Sequence, residues 1–242
     1  MLPVPVLLPG NMCDARLWSG SDCALAVVLA EHSFPKPSYA DATLDDSIAG
    51  MASRALSQTP GPILPIGFSM GAIVAVEMWC QAPERIQGLV LLGYNAVSDL
   101  PERARHRPAQ QEEVRAGGLE RVLVEELKPN YLAAESRKDL ALLDLLREMG
   151  MGLGPDVFVA QSEALRLRED RVGVLPRIEV PVLYGCGTED ALCPPAWHRR
   201  WQTLTQDAEF AEFGEAGHML PLEKPEALAS AVSCWIKKKD LT

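Results

Sequence analysis

The stretch Ile63-Leu64-Pro65-Ile66-Gly67-Phe68-Ser69-Met70-Gly71, continuing as Ala72-Ile73-Val74-Ala75-Val76-Glu77-Met78-Trp79, leaves this chain few ways to fold. An apolar run of strand length meets a run that is apolar almost all round, with Glu77 its only charge, so a buried strand should pass into a buried helix at Ser69. Glycines two residues to either side of the serine suit a sharp strand-to-helix turn, where a Cβ at 67 or 71 would collide with neighbouring elements. Met70 then opens the helix, and its backbone N–H, lacking an intrahelical partner, can point at a developing negative charge.

Either side of this unit the chain alternates buried strands with helices. Val4–Leu8 is a continuous apolar run closed by Pro9-Gly10, the pattern of a parallel strand covered on both faces. A helical pattern follows over 18–29, then a weak strand within 32–39, which Pro35 and Pro37 confine to a sheet edge. Thr43 is expected to cap the next helix, with Asp45 and Asp46 in its first turn and Leu44, Ile48, Met51, Ala52, Ala55 and Leu56 at helical spacing. Beyond the Ser69 helix, 88–93, 180–185 and 209–213 read as further strands, and Leu228, Val232, Trp235 and Ile236 mark the apolar face of a closing helix. The pattern predicts the α/β class: a mostly parallel sheet with right-handed crossovers and helices on both faces.

Between Tyr94 and Glu179 the alternation stops. Amphipathic segments built on Leu119, Leu123 and Leu127, on Leu140, Leu143 and Met149, and on Phe158 and Leu165 replace it, interrupted by Gly150, Gly152 and Gly154. The division expected is an α/β core of residues 1–97 and 172–242, and a helical lid of 98–171 over one end of the sheet. The glycines would serve as its hinge, and Leu123, Leu143, Met149 and Phe158 would line the pocket beneath it.

A formal charge of −10 over 242 residues argues against a general nucleic-acid or anionic-membrane surface, which needs a basic stripe. The one basic run, Lys237-Lys238-Lys239, suits a helix C-terminus. The opening residues carry Pro3 and Pro5 and no basic leader, so they read as a strand and not a signal peptide. No stretch reaches the roughly 18 apolar residues of a membrane span. Six cysteines without C-x-x-C pairing suggest reduced thiols and a cytoplasmic protein. Nothing has the spacing of a metal site, and Gly185-Cys186-Gly187 fails as a dinucleotide fingerprint because Asp190 stands where its third glycine belongs.

A serine hydroxyl needs a base within reach and a group to orient that base, and in a parallel sheet both should come from loops at the carboxyl ends of later strands. The loop Cys186-Gly187-Thr188-Glu189-Asp190 supplies an acid and the loop Gly214-Glu215-Ala216-Gly217-His218 a histidine. Glu189 and Asp99 are rival acids. His32 and His106 lie away from late strand ends, and His198, beside Arg199 and Arg200, reads as part of a solvated face. Asp14 with Arg16 reads as a local ion pair, and Cys13 and Cys193 as packing residues.

Together, Gly67-Phe68-Ser69-Met70-Gly71, Gly185-x-Gly187-x-x-Asp190 and Gly217-His218 followed by Pro221-Leu222-Glu223-Lys224-Pro225-Glu226 resemble the nucleophile, acid and histidine motifs of the α/β-hydrolase family, over essentially the whole chain. The resemblance implies Ser69 as nucleophile, His218 as base and then acid, Asp190 as orienting carboxylate, and an oxyanion hole from the N–H groups of Met70 and Asn11. Pro9-Gly10 stands where many members have His-Gly, and the chain begins at what would be the family's third strand, so a sheet of about six strands without the leading hairpin is expected. The activity implied is hydrolysis of a small carboxylic ester or thioester through an acyl-enzyme, with no cofactor and with neither nucleic acid nor membrane as partner. The same fold also serves ligand-binding signalling proteins that keep the triad with little turnover, and lyases or C–C hydrolases.

Overall fold

The computed structural model describes residues 2–127 and 131–241. In chain order the core elements are β1 (Val4–Leu8), α1 (Gly20–Glu31), β2 (Ser38–Tyr39), α2 (Ile48–Gln58), β3 (Ile63–Phe68), α3 (Met70–Gln81) and β4 (Leu89–Leu92). A helical segment follows, with α4 (Pro101–Glu113), α5 (Leu119–Arg121) and α6 (Leu140–Arg166). The core resumes with β5 (Val182–Gly187), α7 (Pro195–Leu204), β6 (Ala208–Phe213), α8 (Leu220–Glu223) and α9 (Pro225–Lys238).

The six strands form one parallel sheet in the order β2-β1-β3-β4-β5-β6. Alternate residues of each strand serve opposite faces, as the pleat requires. Leu89 and Leu91 join the cluster under α2 and α3, while Val90 and Leu92 join the one under α1 and α9, where Leu25, Leu29, Val232 and Trp235 are buried. Because every residue of β3 is buried, it reads as an unbroken apolar run, and its Ile, Leu and Phe side chains each contribute about 1.5–3 kcal/mol. Register brings the strand ends level: Leu8 lies opposite Gly67, Phe68 opposite Leu92 and Gly187 opposite Phe213. The loops after β1, β3, β4, β5 and β6 therefore leave the sheet along one edge.

Some boundaries differ from the sequence expectation. Thr43 does not cap α2; its hydroxyl turns to the Asp41 carboxylate, and Ser47 caps the helix by accepting from the Gly50 N–H. Leu44 consequently lies outside the helix, 62% exposed, and Asp45 pairs with Arg54 instead of serving the helix start. The weak strand shrinks to the two residues of β2, at the sheet edge. Of Gly150, Gly152 and Gly154, the last alone breaks helix geometry, at φ 84° and ψ 176°, where Pro155 restarts α6; earlier in the segment Gly117 also leaves it, at φ 98°. Gly150 instead permits close packing, since a Cβ there would stand 2.6 Å from Leu123 Cδ1. Residues 128–130 of the expected lid lie outside the described residues. Among the described residues no helix is long and apolar enough to cross a membrane.

Candidate active site

Ser69 sits between β3 and α3 with φ 53° and ψ −113°, a conformation that costs a non-glycine residue about 1–3 kcal/mol. Its surroundings enforce it. The Ser69 N–H donates to the Leu92 carbonyl at 2.8 Å, fixing the turn to β4. A Cβ on Gly67 would stand 2.4 Å from the Gly71 carbonyl oxygen, and one on Gly71 only 2.1 Å from that of Leu8. These backbones cannot retreat, so glycine is required at both positions, and α3 begins hard against the loop that leaves β1.

Three side chains from three loops meet at this edge of the sheet. His218 Nε2 lies 2.9 Å from Ser69 Oγ, and its Nδ1 lies 2.8 Å from Asp190 Oδ2. The other oxygen of Asp190 accepts from the N–H groups of Leu192, at 2.9 Å, and Cys193, at 2.8 Å. Burial opposes ionisation of Asp190, which is 3% exposed, but the facing imidazole and the Cys193 N–H outweigh it and hold the carboxyl below its ordinary range. An anionic Asp190 places the imidazole proton on Nδ1, leaving Nε2 to accept the serine proton. The rival acids are engaged elsewhere: Asp99 is buried between Arg107 at 2.6 Å and Arg168 at 2.9 Å, and exposed Glu189 accepts from the Ala134 N–H.

The N–H groups of Asn11 and Met70 have no hydrogen-bond partner among the described residues, and both residues line the cavity that holds Ser69 and His218. That cavity measures about 140 Å³. An engineered apolar cavity of about 150 Å³ takes benzene, so the space suits a group of about six heavy atoms. Leu127, Tyr131 and Leu165 supply apolar walls, and Arg103, Arg107 and Arg168 supply charge. Leu123, Leu143, Met149 and Phe158, expected here, are elsewhere. Leu123 and Phe158 pack with Val114 and Val122, and Leu143 and Met149 pack in the cluster that contains Leu146. Apolar residues of a helical segment bury each other first, and the more polar α4 is what faces the cavity. Burial raises the Cys13 thiol to about 12 and Cys193 well above its ordinary range, so both stay protonated and unreactive at neutral pH.

The sequence pattern of the alpha/beta hydrolase family matches residues 6–231. The chain belongs to that family. It is 24% identical over 239 residues to the biotin biosynthesis bifunctional protein BioHC of Cellvibrio japonicus, covering 95% of this chain and 47% of that protein, so it spans about half the relative's length. It is 26% identical over 234 residues to the pimeloyl-[acyl-carrier protein] methyl ester esterase of Klebsiella pneumoniae, covering 92% of this chain and 89% of that one. A malate-bound thermophilic esterase from Thermogutta terrifontis superposes with a TM-score of 0.84 at 25% identity, covering 98% of this chain and 90% of that one.

Several residues that shape this hydrolase site were not anticipated. Gln161 of α6, 1% exposed, accepts from the Met12 N–H at 2.8 Å and the Asn11 side-chain amide at 3.2 Å, and donates to the Ala42 carbonyl. It ties the helical segment to the loop bearing the Asn11 N–H, where Met12 is held at φ 53°. The Tyr131 carbonyl accepts from the His218 and Met219 N–H groups, and Glu223 bridges the N–H groups of Gly217 and Ala133. The segment beyond β4 is thus bonded to the loops carrying His218, Glu189 and Asn11.

His198 lies inside, not on a solvated face, at 0% exposure. Its Nε2 accepts from the Tyr94 N–H at 3.0 Å while Nδ1 lies 3.3 Å from the Pro194 carbonyl, so the proton sits on Nδ1 and the ring pins the turn after β4. Burial lowers its pKa from 6.5 to about 4. Between those values the unfolded chain binds a proton that the folded chain refuses, so stability falls as pH drops from about 6.5 towards 4, by about 3 kcal/mol. Urea unfolding at pH 7 and pH 4.5 should show the wild type losing more stability than His198→Gln, which keeps an acceptor but cannot titrate. Equal losses would contradict the neutral buried ring.

Proposed function

We propose that this protein is a serine hydrolase that cleaves a small carboxylic ester or thioester through an acyl-enzyme. The observation that carries the reading is the unbroken hydrogen-bonded chain Ser69–His218–Asp190, whose Ser69 and His218 line a cavity together with Asn11 and Met70, two residues whose backbone N–H groups have no partner among the described residues. Ser69 Oγ attacks the carbonyl carbon as His218 Nε2 takes its proton, and Asp190 stabilises the imidazolium that results. The carbonyl oxygen, now anionic, accepts from the N–H groups of Asn11 and Met70. Collapse expels the alcohol or thiol, which takes the proton from His218. Water, deprotonated in turn by His218, then attacks the acyl-enzyme, releasing the acid and restoring Ser69.

The esterase named among the relatives supports ester cleavage, and the cavity volume favours a short acyl or alcohol group. No step of this mechanism calls for a cofactor. Residues 98–171 act as a lid, with Leu127, Tyr131 and Leu165 as its contribution to substrate choice. The cysteines are unpaired, which agrees with a cytoplasmic setting.

The test is turnover of p-nitrophenyl esters from acetate to hexanoate. The proposal expects a burst of about one equivalent of p-nitrophenol and then a linear steady state over many equivalents, and a preference for the shorter chains. A single stoichiometric release with no steady state would overturn hydrolysis in favour of a receptor that keeps the triad.

A further inference from the structure

The cavity at Ser69 carries a charge its mechanism does not use. Three arginines, Arg103, Arg107 and Arg168, line it, and among the described residues no Asp or Glu does, although the chain as a whole carries a formal charge of −10. Arg168 is spent on the fold: it is buried, with Nη1 on Asp99 at 2.9 Å and on the Leu165 carbonyl, and Nε on the Val97 carbonyl. Arg107 gives Nε and Nη2 to the same Asp99 carboxylate, and its Nη1 donors have no hydrogen-bond partner among the described residues. Arg103, half-buried on the first turn of α4, has neither hydrogen bond nor ion pair among the described residues. Burial raises the Tyr131 phenol and the Cys193 thiol above their ordinary ranges, and the Arg103 charge reaches the far wall far enough to offset part of that rise. The Tyr131 ring is 6.0 Å from the His218 ring, so this field acts beside the reacting centre.

Partly desolvating an unpaired guanidinium in a catalytic cavity is unfavourable unless an anion comes to it, and a guanidinium fork matches a carboxylate or a phosphate with two parallel hydrogen bonds. We infer that Arg103, with the free edge of Arg107, is the specificity element of this site, and that the substrate is an ester or thioester bearing an anionic group, a carboxylate or a phosphate, close to the scissile bond. The inference rests on the hydrolase reading above and adds the charge of the substrate to it. A neutral short-chain ester would use the apolar walls alone.

The experiment compares matched pairs. Monomethyl glutarate against methyl pentanoate tests a carboxylate, and 2-(pentanoyloxy)ethyl phosphate against 2-hydroxyethyl pentanoate tests a phosphate. In at least one pair the wild type should favour the charged member by tenfold or more in kcat/KM. Arg103→Gln should cost the charged member about 10- to 100-fold more than its neutral partner, the range of a lost charged hydrogen bond. Arg105→Gln, on the exposed side of α4, should keep the preference. Which pair responds names the source of the anion. Equal kcat/KM within both pairs, or equal losses in Arg103→Gln, would overturn the inference while leaving the hydrolase reading intact.

Binding is read independently of turnover, as the rise in Tm produced by millimolar glutarate or inorganic phosphate. One of the two anions should raise the Tm of the wild type and not that of Arg103→Gln. If no pair is hydrolysed and Ser69 resists a fluorophosphonate, the hydrolase reading fails. The anion site then stands or falls on the Tm shift, and no shift with either anion would overturn it.

Discussion

Ser69→Ala is expected to lower kcat/KM on any ester that the wild type turns over by about 10⁶, the loss seen when a serine protease is stripped of its nucleophile. The change removes one atom from a residue whose N–H remains on the Leu92 carbonyl, and alanine meets the same φ of 53° that serine already tolerates. Tm should therefore move by only a few degrees. The Asn11 and Met70 N–H groups would still polarise a bound carbonyl, so a residual rate of about 10³ to 10⁴ over water is expected to survive. Comparing kcat/KM and Tm of the two proteins checks both halves. A loss of only tenfold would show that another group attacks.

Asp190→Asn should cost about 10⁴ in kcat/KM, for a different reason. The amide oxygen can keep the N–H groups of Leu192 and Cys193, so its NH₂ must face His218 Nδ1. That nitrogen then becomes an acceptor, the imidazole proton moves to Nε2, and Nε2 donates to Ser69 where it should accept. Glu189→Gln, at an exposed carboxylate that accepts from the Ala134 N–H, should change kcat/KM by less than about threefold. Asp99→Asn acts on the fold instead, because it leaves Arg107 and Arg168 without their shared buried charge, a loss of about 3–5 kcal/mol. Full stability with abolished turnover in Asp99→Asn, and an active Asp190→Asn, would move the acid to Asp99.

Much of this was legible in the chain because strand ends leave local marks. The β1, β3 and β4 runs are buried on both faces and so stand out as apolar blocks, and the turn between β3 and α3 is flanked by glycines where backbones touch, Gly67 and Gly71. Ser69 and Asp190 could be picked out because each lies just past such a block, and His218 because it follows the last strand, β6, although that strand is only half-buried. Loop-to-segment contacts leave no such mark: Gln161 meets Met12 across 149 residues, and its surroundings read as an ordinary amphipathic helix. Apolar spacing does not mark the pocket, because Leu123, Leu143, Met149 and Phe158 pack within the core clusters while the walls include arginines of a helix with no apolar stripe. His198 was masked by its neighbours Arg199 and Arg200, although its spacing of three from buried Trp201 on α7 was the signal that could have placed it inside. The choice of Ser47 over Thr43 as cap turned on where each hydroxyl found a partner, and both positions satisfy the composition rule equally.

The central claim is that the Ser69 hydroxyl is activated by the chain through His218 to Asp190, and covalent trapping tests it most directly. Brief exposure to a fluorophosphonate at neutral pH, followed by intact-mass and peptide mass analysis, should yield one adduct per chain, located on Ser69. The adduct should be absent from Ser69→Ala and form far more slowly in Asp190→Asn. An adduct on another residue, or one that persists at wild-type rate in Ser69→Ala, would contradict the account.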